Sequence, residues 1–394
     1  MPERAGKRLR VGYVLPSLGK RAGWRTHTLG LLQALSLHEL EPILFVAEDE
    51  VKEAQRLFPD WKIYELPCTQ SAWLSNPRGL VKLLNCYFTI RSRHWPQLDL
   101  VHSLEAYPSG LVGHWLSRRA GCGHVLTAHG TYGIAASERP LDRLAYQGVL
   151  KQAQAICPVS AGTAAQMQRL FARELSGRRV VPIWNGNDFT QRILRSDARQ
   201  RQADPQAPVL LTVGDVKPRK GQDVSLAAFK VVQKEFPAAE YWIAGDPHPG
   251  SAYTRELQEY VQKEGLSGVR FLGMVSDEEL QRCYRSASVF VLTPRQVGVN
   301  FEGFGLVYLE AGAYGLPVVA SRSGGVAEAV QDGKTGLLAD EGDVAGTAQA
   351  LLSLLSDGEL RRRLGQANRL WAEELTWERA AEQQYRVYLE VLKP

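Results

Sequence analysis

Two rhythms of apolar residues trade places along the chain. Short unbroken runs such as VLLTV, VFVL and VVA are bounded by glycine, proline or charged residues, the pattern of strands buried on both faces of a parallel sheet. Between them, apolar positions recur every three or four residues, as on one side of a helix. In the first half this reading places strands at 9–15, 42–47, 98–102, 124–128, 156–160 and 180–183. Helices follow at 26–37 and at 163–171, the second with Ser160 placed to cap it. The second half repeats the alternation, with strands at 209–213, 240–244, 269–272, 289–292 and 318–320 and helices at 223–236, 253–264 and 277–285. Such alternation predicts α/β domains, each a doubly wound parallel sheet covered on both faces.

Between the two series, 190–208 is polar, with two prolines and no strong apolar period, and is expected to connect the domains. The chain thus divides into 1–189 and 190–376, followed by a helical tail over 377–392. At 394 residues, 44% hydrophobic and 23% charged, there is room for two domains of about 200 residues, and fibrous or disordered architectures are excluded. The five cysteines, Cys68, Cys86, Cys122, Cys157 and Cys283, are scattered without a C-x-x-C pair and read as reduced, packed thiols. The first residues lack the unbroken apolar core of a signal peptide, and no run of about 18 apolar residues occurs. The expectation is a cytoplasmic protein with at most a peripheral attachment at the inner membrane face.

Charge is unevenly divided: residues 1–190 carry a net +8 and the remainder −3. A basic first half favours anionic partners, but no nucleic-acid reading module is recognisable and nucleic acid is not expected as a partner. Within it, the predicted helix 78–93 sets Leu80, Leu83, Leu84, Tyr87 and Phe88 on one side beside Arg78, Lys82, Arg91 and Arg93. Two readings fit: a core-packed helix with a solvated basic side, or a helix lying in a membrane interface.

Candidate chemistry concentrates in NFEGFGLVYLEAGAYGLPVVA, residues 300–320. Gly303-Phe304-Gly305 opens a helix whose first N–H groups lack intrahelical partners, so the stretch predicts an anion site. Glu302 sits just before the helix and Glu310 eight residues later, which puts their backbones roughly 12 Å apart along the axis at about 1.5 Å per residue. That is about the length of a diphosphate with a sugar at each end, and carboxylates accept from sugar hydroxyls. A dipole-pairing Glu302 and a solvated Glu310 are the plain alternative. GDVKPRKG places Lys217, Arg219 and Lys220 at the end of strand 209–213, on the edge where the helix start should lie. In the first half, Gly19 and Gly23 mark a loop after the first strand, with Arg21 and Arg25 offering charge, although a simple turn is equally compatible. His129 lies at the carboxyl end of strand 124–128; His102, ending the preceding strand, competes with it for a functional role, and a buried histidine satisfied by backbone is the plain alternative. Ser323-Gly324-Gly325-Val326 again sets glycines before a helix and suggests further backbone donors.

In their order along the chain, these features resemble the retaining, nucleotide-sugar-dependent glycosyltransferases called family 4, of GT-B architecture. The resemblance runs through the glycine loop, AHG at His129, VSAGT, WNGND, VGDVKPRKG, IAGD at Gly245, FLGMVSDEEL and the E-x7-E pair. It implies two Rossmann-like domains facing across a cleft, the first for acceptor and the second for donor, with a final helix, 377–394, crossing back to the first. It further implies that Lys220 and Arg219 bind the diphosphate with Gly303, Phe304 and Gly305. Glu302 would hold the hexose, Glu310 the ribose, and Gly214, Gly245 and backbone at Met274-Val275 the rest of the nucleotide, while His129 would lie beside the reacting sugar. The expected co-substrate is a UDP- or GDP-linked sugar, the acceptor a sugar, lipid-linked or small-molecule hydroxyl. No D-x-D triplet is present and no metal is expected. One departure stands out: Asp215 occupies a position where the family commonly has arginine. It motivates a binding protein without turnover as one alternative, with a nucleotide-sugar epimerase or hydrolase as another.

Overall fold

The computed structural model describes residues 8–19, 23–70, 72–189, 191, 193, 204 and 206–393. Arg21 and most of the stretch 190–208 lie outside the described residues. The chain forms two compact units, Met1–Gly186 with Trp377–Pro394, and Asn187–Thr376.

In the first unit β1 (Leu9–Val14), α1 (Gly23–Leu35), β2 (Leu40–Ala47), α2 (Val51–Leu57), β3 (Lys62–Leu66), α3 (Pro77–Ser92), β4 (Leu100–Ser103), α4 (Ser109–Ala120), β5 (Gly123–Ala128), α5 (Pro140–Gln152), β6 (Ala155–Pro158), α6 (Ala161–Leu175) and β7 (Arg179–Val180) follow one another. The strands form a seven-stranded sheet in the order β3-β2-β1-β4-β5-β6-β7, with every pairing parallel.

The second unit contains β8 (Val209–Val213), α7 (Gln222–Glu235), β9 (Glu240–Ala244), α8 (Ala252–Lys263), β10 (Val269–Gly273), α9 (Asp277–Ser286), β11 (Val289–Leu292), α10 (Leu306–Ala313), β12 (Val318–Ser321), α11 (Val326–Ala329), β13 (Gly336–Ala339), α12 (Val344–Ser356) and α13 (Gly358–Glu374). Its six strands run β10-β9-β8-β11-β12-β13, again all parallel. Both sheets are Rossmann-like. The final helix, α14 (Trp377–Val391), belongs to the first unit.

Strands inside the sheets are the fully buried ones: β4, β6, β11 and β12 are buried at every residue, even where β4 carries His102 and Ser103. The strands that no unbroken apolar run announces, β3 and β13, are sheet edges. An edge strand need not be apolar on both faces, which is why KIYEL carries Lys62 and Glu65. In each sheet the chain order reverses beside its first strand, at β1/β4 and β8/β11. Those are the switch points where the loops leaving adjacent strands part and open a crevice at the carboxyl edge.

Helix α14 is fixed to the first sheet by packing and by a buried polar link. Tyr388 hydroxyl lies 2.6 Å from His102 Nδ1, and His102 Nε2 lies 2.8 Å from Thr127 Oγ1. The indole of Trp377, 5% exposed, is seated directly over Gly30 of α1. A methyl group at residue 30 would come within 2.2 Å of that ring. Gly30→Ala is therefore expected to cost about 1–3 kcal/mol by overpacking, read as a lower urea midpoint for the first unit. Adding Trp377→Ala should recover part of that specific loss in a double-mutant cycle.

Candidate functional site

The site of the second unit is assembled at its switch point by two loops. The loop after β8 ends in a single 3-10 turn, Pro218–Lys220, closed by Gly221 at φ 68°. A side chain at 221 would put its Cβ 1.8 Å from the Thr293 carbonyl oxygen, so only glycine permits this approach. Thr293 Oγ1 donates to the Gly221 carbonyl at 2.8 Å, and Arg295 N–H to that of Arg219 at 2.9 Å. The end of β11 thus holds the basic loop in place.

The loop after β11 brings Glu302 to the same point. Lys220 Nζ donates to Glu302 Oε2 at 2.6 Å and Arg219 Nη1 to the same oxygen at 3.1 Å. Glu302 and Lys220 are nearly buried, with side chains 12% and 10% exposed. Burial alone raises a carboxyl's pKa; here Lys220 and Arg219 outweigh it and hold the Glu302 carboxyl below its ordinary value. Both cations use Oε2, so Oε1 is left to accept from another donor. Gly324 at φ 53° lies against the Glu302 carbonyl, and Gly325 N–H donates to it at 3.0 Å. The Ser323–Val326 glycines therefore secure Glu302, whereas the sequence suggested free donors; the helix after them, α11, is only four residues long.

Gly303, Phe304 and Gly305 lead directly into α10. Gly305 is its N-cap, at φ 93°, and Phe304 is buried at 2% exposure, so any phosphate contact there is made by backbone. The helix begins at Leu306, not at Glu302. The span from Glu302 to Glu310 is therefore only half helical, and the 12 Å spacing expected for a continuous helix does not apply. Glu310 accepts from Tyr284 hydroxyl at 3.0 Å, and Tyr284 stacks on Tyr314 at 5.0 Å.

Along the same edge the ends of β8, β9 and β10 are joined at glycines. Gly214 N–H donates to the Ala244 carbonyl and Gly245 N–H to that of Gly273, each at 2.8 Å. Gly245, at φ 149°, has its missing Cβ aimed 2.1 Å from the Gly214 oxygen. Met274, next in line, is 65% exposed, while Val275 is partly buried. Asp215 is engaged locally: it accepts from Lys217 Nζ at 2.7 Å and lies 3.7 Å from His248 Nε2. His248 has a φ of 47° and donates its N–H to Asp246.

In the first unit, Gly19 lies in the loop after β1 with its Cβ position 3.8 Å from the Glu50 carboxylate, whereas Gly23 is the first residue of α1 and has no neighbour among the described residues within 4 Å of its Cβ position. Arg25 pairs with Glu53 at 3.1 Å. His129 and His102 are separated by their contacts. Both His102 ring nitrogens are taken up in the link to α14, and burial depresses its pKa to about 3. His129 Nε2 donates to the Leu104 carbonyl at 3.0 Å, which fixes the tautomer and leaves Nδ1 as an acceptor. Burial lowers its pKa to about 4, so it is neutral at pH 7. Its ring stands edge-on to His27 at 4.4 Å, and His27 edge-on to Trp377 at 5.7 Å.

Sequence reasoning passed over two acidic residues here. Glu50 accepts from the Ser17 hydroxyl and the Leu18 N–H, tying the loop after β1 to the end of β2. Glu105, two residues past β4, is 7% exposed and accepts from the Ser109 hydroxyl, 3.2 Å away. A carboxyl placed just beyond the carboxyl end of a buried strand was the available signal.

Comparison with known proteins adds matches of three kinds. The family description "Glycosyl transferases group 1" matches residues 195–371, and "Glycosyl transferase 4-like domain" matches 22–186. The chain is 32% identical over 271 residues to a GDP-mannose-dependent alpha-(1-6)-phosphatidylinositol monomannoside mannosyltransferase of Mycolicibacterium smegmatis, covering 68% of this chain and 70% of that one. It is 31% identical over 306 residues to a D-inositol 3-phosphate glycosyltransferase of Streptomyces scabiei, covering 74% and 67%. In fold it is similar to the Anabaena protein HepE, solved in complex with UDP and glucose, at a TM-score of 0.69 and 17% identity over 96% of this chain and 98% of that one.

Glu105 supplies a test of the first-unit geometry. Burial pushes its carboxyl up to about 8, against a lowering hydrogen bond from Ser109. The folded protein thus keeps a proton that the unfolded chain releases near the ordinary 4.5. The associated stability is complete below about pH 4.5 and is lost as pH rises towards 8, each tenfold difference in proton affinity between the two states being worth about 1.4 kcal/mol. Glu105→Gln, which mimics the protonated form, should gain thermal stability over the wild type as pH rises from 5 to 8. Melting curves at the two pH values measure that widening difference.

Proposed function

The chain belongs to the group 1 glycosyltransferases, and we propose that it moves a hexose from a nucleoside-diphosphate sugar to an acceptor hydroxyl, with retention of configuration and without a metal. The observation that carries this reading is the convergence of Lys220 and Arg219 on Glu302 at the β8/β11 switch point, beside the glycine-led start of α10.

Breaking a sugar-phosphate bond leaves charge on the departing diphosphate, so catalysis depends on positive charge fixed in advance. We assign that task to Lys220 and Arg219 with the backbone of Gly303, Phe304 and Gly305. An incoming diphosphate competes with Glu302 for the two cations, and Glu302 Oε1 is available to a hexose hydroxyl. Glu310 is assigned to the ribose, and Gly214, Gly245 and the Met274-Val275 backbone to the remainder of the nucleotide. On the first unit, His129 offers Nδ1 to a sugar hydroxyl. Asp215 is neutralised by Lys217 rather than aimed at Lys220, and Arg219 stands in for the arginine otherwise expected there. This favours turnover over a binding-only protein.

For the donor, the mycolicibacterial relative points to GDP-mannose and the HepE complex to a UDP-linked glucose. The two inositol-directed relatives support a polyol or lipid-linked acceptor. In the retaining route, the acceptor hydroxyl attacks from the face the diphosphate leaves and passes its proton to a phosphate oxygen. Glu302, engaged by two cations, serves to hold hydroxyls and not as a covalent nucleophile.

Purified protein incubated with GDP-mannose or UDP-glucose and an inositol-type acceptor should give a glycosylated product with the donor's anomeric configuration, read by NMR. Donor consumed equally without acceptor would instead indicate a hydrolase or epimerase. Lys220→Ala and Glu302→Ala should each lower kcat/KM by about 10²- to 10³-fold, with circular dichroism unchanged; wild-type turnover in either would remove the assignment.

A further inference from the structure

Helix α3 has two apolar faces, and only one is used by the fold. Leu83, Cys86 and Ile90 are buried against the first unit. Leu80, Val81, Leu84 and Phe88 lie on another side and are 38%, 57%, 45% and 63% exposed. At about 100° per residue these four occupy one stripe roughly 100° wide. Isolated exposed leucines are ordinary, but a contiguous stripe that includes a phenylalanine calls for a partner.

A second exposed apolar pair sits on α5, whose first turn is tied to the residues leading into α3. Asp142, on the first turn of α5, accepts from Leu74 N–H at 2.7 Å and Ser75 N–H at 3.1 Å, just before Asn76 caps α3. On either side of Asp142, Leu141 and Leu144 are 58% and 68% exposed.

Charge selects the partner. Helix α3 contains no acidic residue, while Arg78, Lys82, Arg91 and Arg93 are exposed on it and at its end. Long basic side chains can lay their stems along apolar surface and keep their heads at a phosphate layer. No helix among the described residues is long and apolar enough to cross a bilayer, so a helix in this setting lies in the interface plane.

We propose that the outer face of α3, with the start of α5, docks the first unit onto an anionic lipid bilayer. Leu80, Leu84 and Phe88 insert at the headgroup boundary, and Arg78, Lys82, Arg91 and Arg93 meet lipid phosphates. The proposal is independent of which sugar is transferred.

The test is co-sedimentation of the full chain with phosphatidylcholine vesicles and with vesicles containing about 30% phosphatidylglycerol. The wild type should pellet with the anionic vesicles and much less with the neutral ones. Leu84→Asp combined with Phe88→Asp should reduce anionic binding by at least about tenfold. Arg91→Ala with Arg93→Ala should reduce it by about fivefold per charge. Both substitutions are at exposed positions, and unchanged circular dichroism would verify folding. Absence of vesicle binding, equal binding to both compositions, or full binding by the aspartate variant would each overturn the proposal. A wild-type dimer in light scattering that becomes monomeric in that variant, without vesicle binding, would assign the stripe to self-association and overturn it equally.

Discussion

A buried carboxylate held by two cations is the constraint around which the second unit is arranged. Glu302 tolerates its burial because Lys220 and Arg219 reach one of its oxygens; removing either partner leaves charge without compensation in a poorly solvated place. The three groups come from loops 82 residues apart in sequence, and they meet because β8 and β11 are neighbours in the sheet. Each loop is then locked by a contact that tolerates no side chain: Gly221 against Thr293, and Gly324 against the Glu302 carbonyl. The glycines set the distance, and the distance sets the electrostatics.

The first unit solves a different problem, keeping several imidazoles neutral inside a packed sheet. His27, His102, His124 and His129 are all driven down in pKa by burial. What distinguishes His129 is its contacts: a backbone carbonyl takes one nitrogen, and no hydroxyl among the described residues takes the other. His102 and Tyr388 bind α14 to the sheet instead, so two histidines at the ends of adjacent strands serve unrelated ends. No difference in residue type announces that split.

Much of the architecture was legible because central parallel strands demand unbroken apolar runs. The strands 209–213, 240–244 and 289–292 read from the sequence coincide with β8, β9 and β11. Edge strands β3 and β13 were not legible, since partial exposure removes the pattern that identifies a strand. The candidate site was legible as a set of residues and not as a geometry. Glycines before Leu306 indicated a helix start, yet the turn they make shortens the helical path between Glu302 and Glu310. Nothing in the sequence said that Arg219 and Lys220 would share a single Glu302 oxygen. Glu105, a lone acid in a loop, and Glu50, the last of the acidic run 48–50, were missed because such acids look solvated until the neighbouring loops close over them.

Helix α3 shows where periodicity itself runs out. Leu80, Leu83, Leu84, Tyr87 and Phe88 form one broad apolar side by spacing, since about 60° of arc separates Leu80 from Leu83 and about 40° separates it from Leu84. Burial divides that side: Leu83 belongs to the core, with Cys86 and Ile90, and Leu84 belongs to the outer stripe. Treating the helix as having a single apolar direction averages the two faces and hides both. The arginines and lysine share this ambiguity, because a basic side is equally suited to water and to a phosphate layer. The exposed Phe88 is what motivates the docking proposal, since a solvated helix face gains nothing from a phenyl ring, whereas a covered one gains its transfer from water.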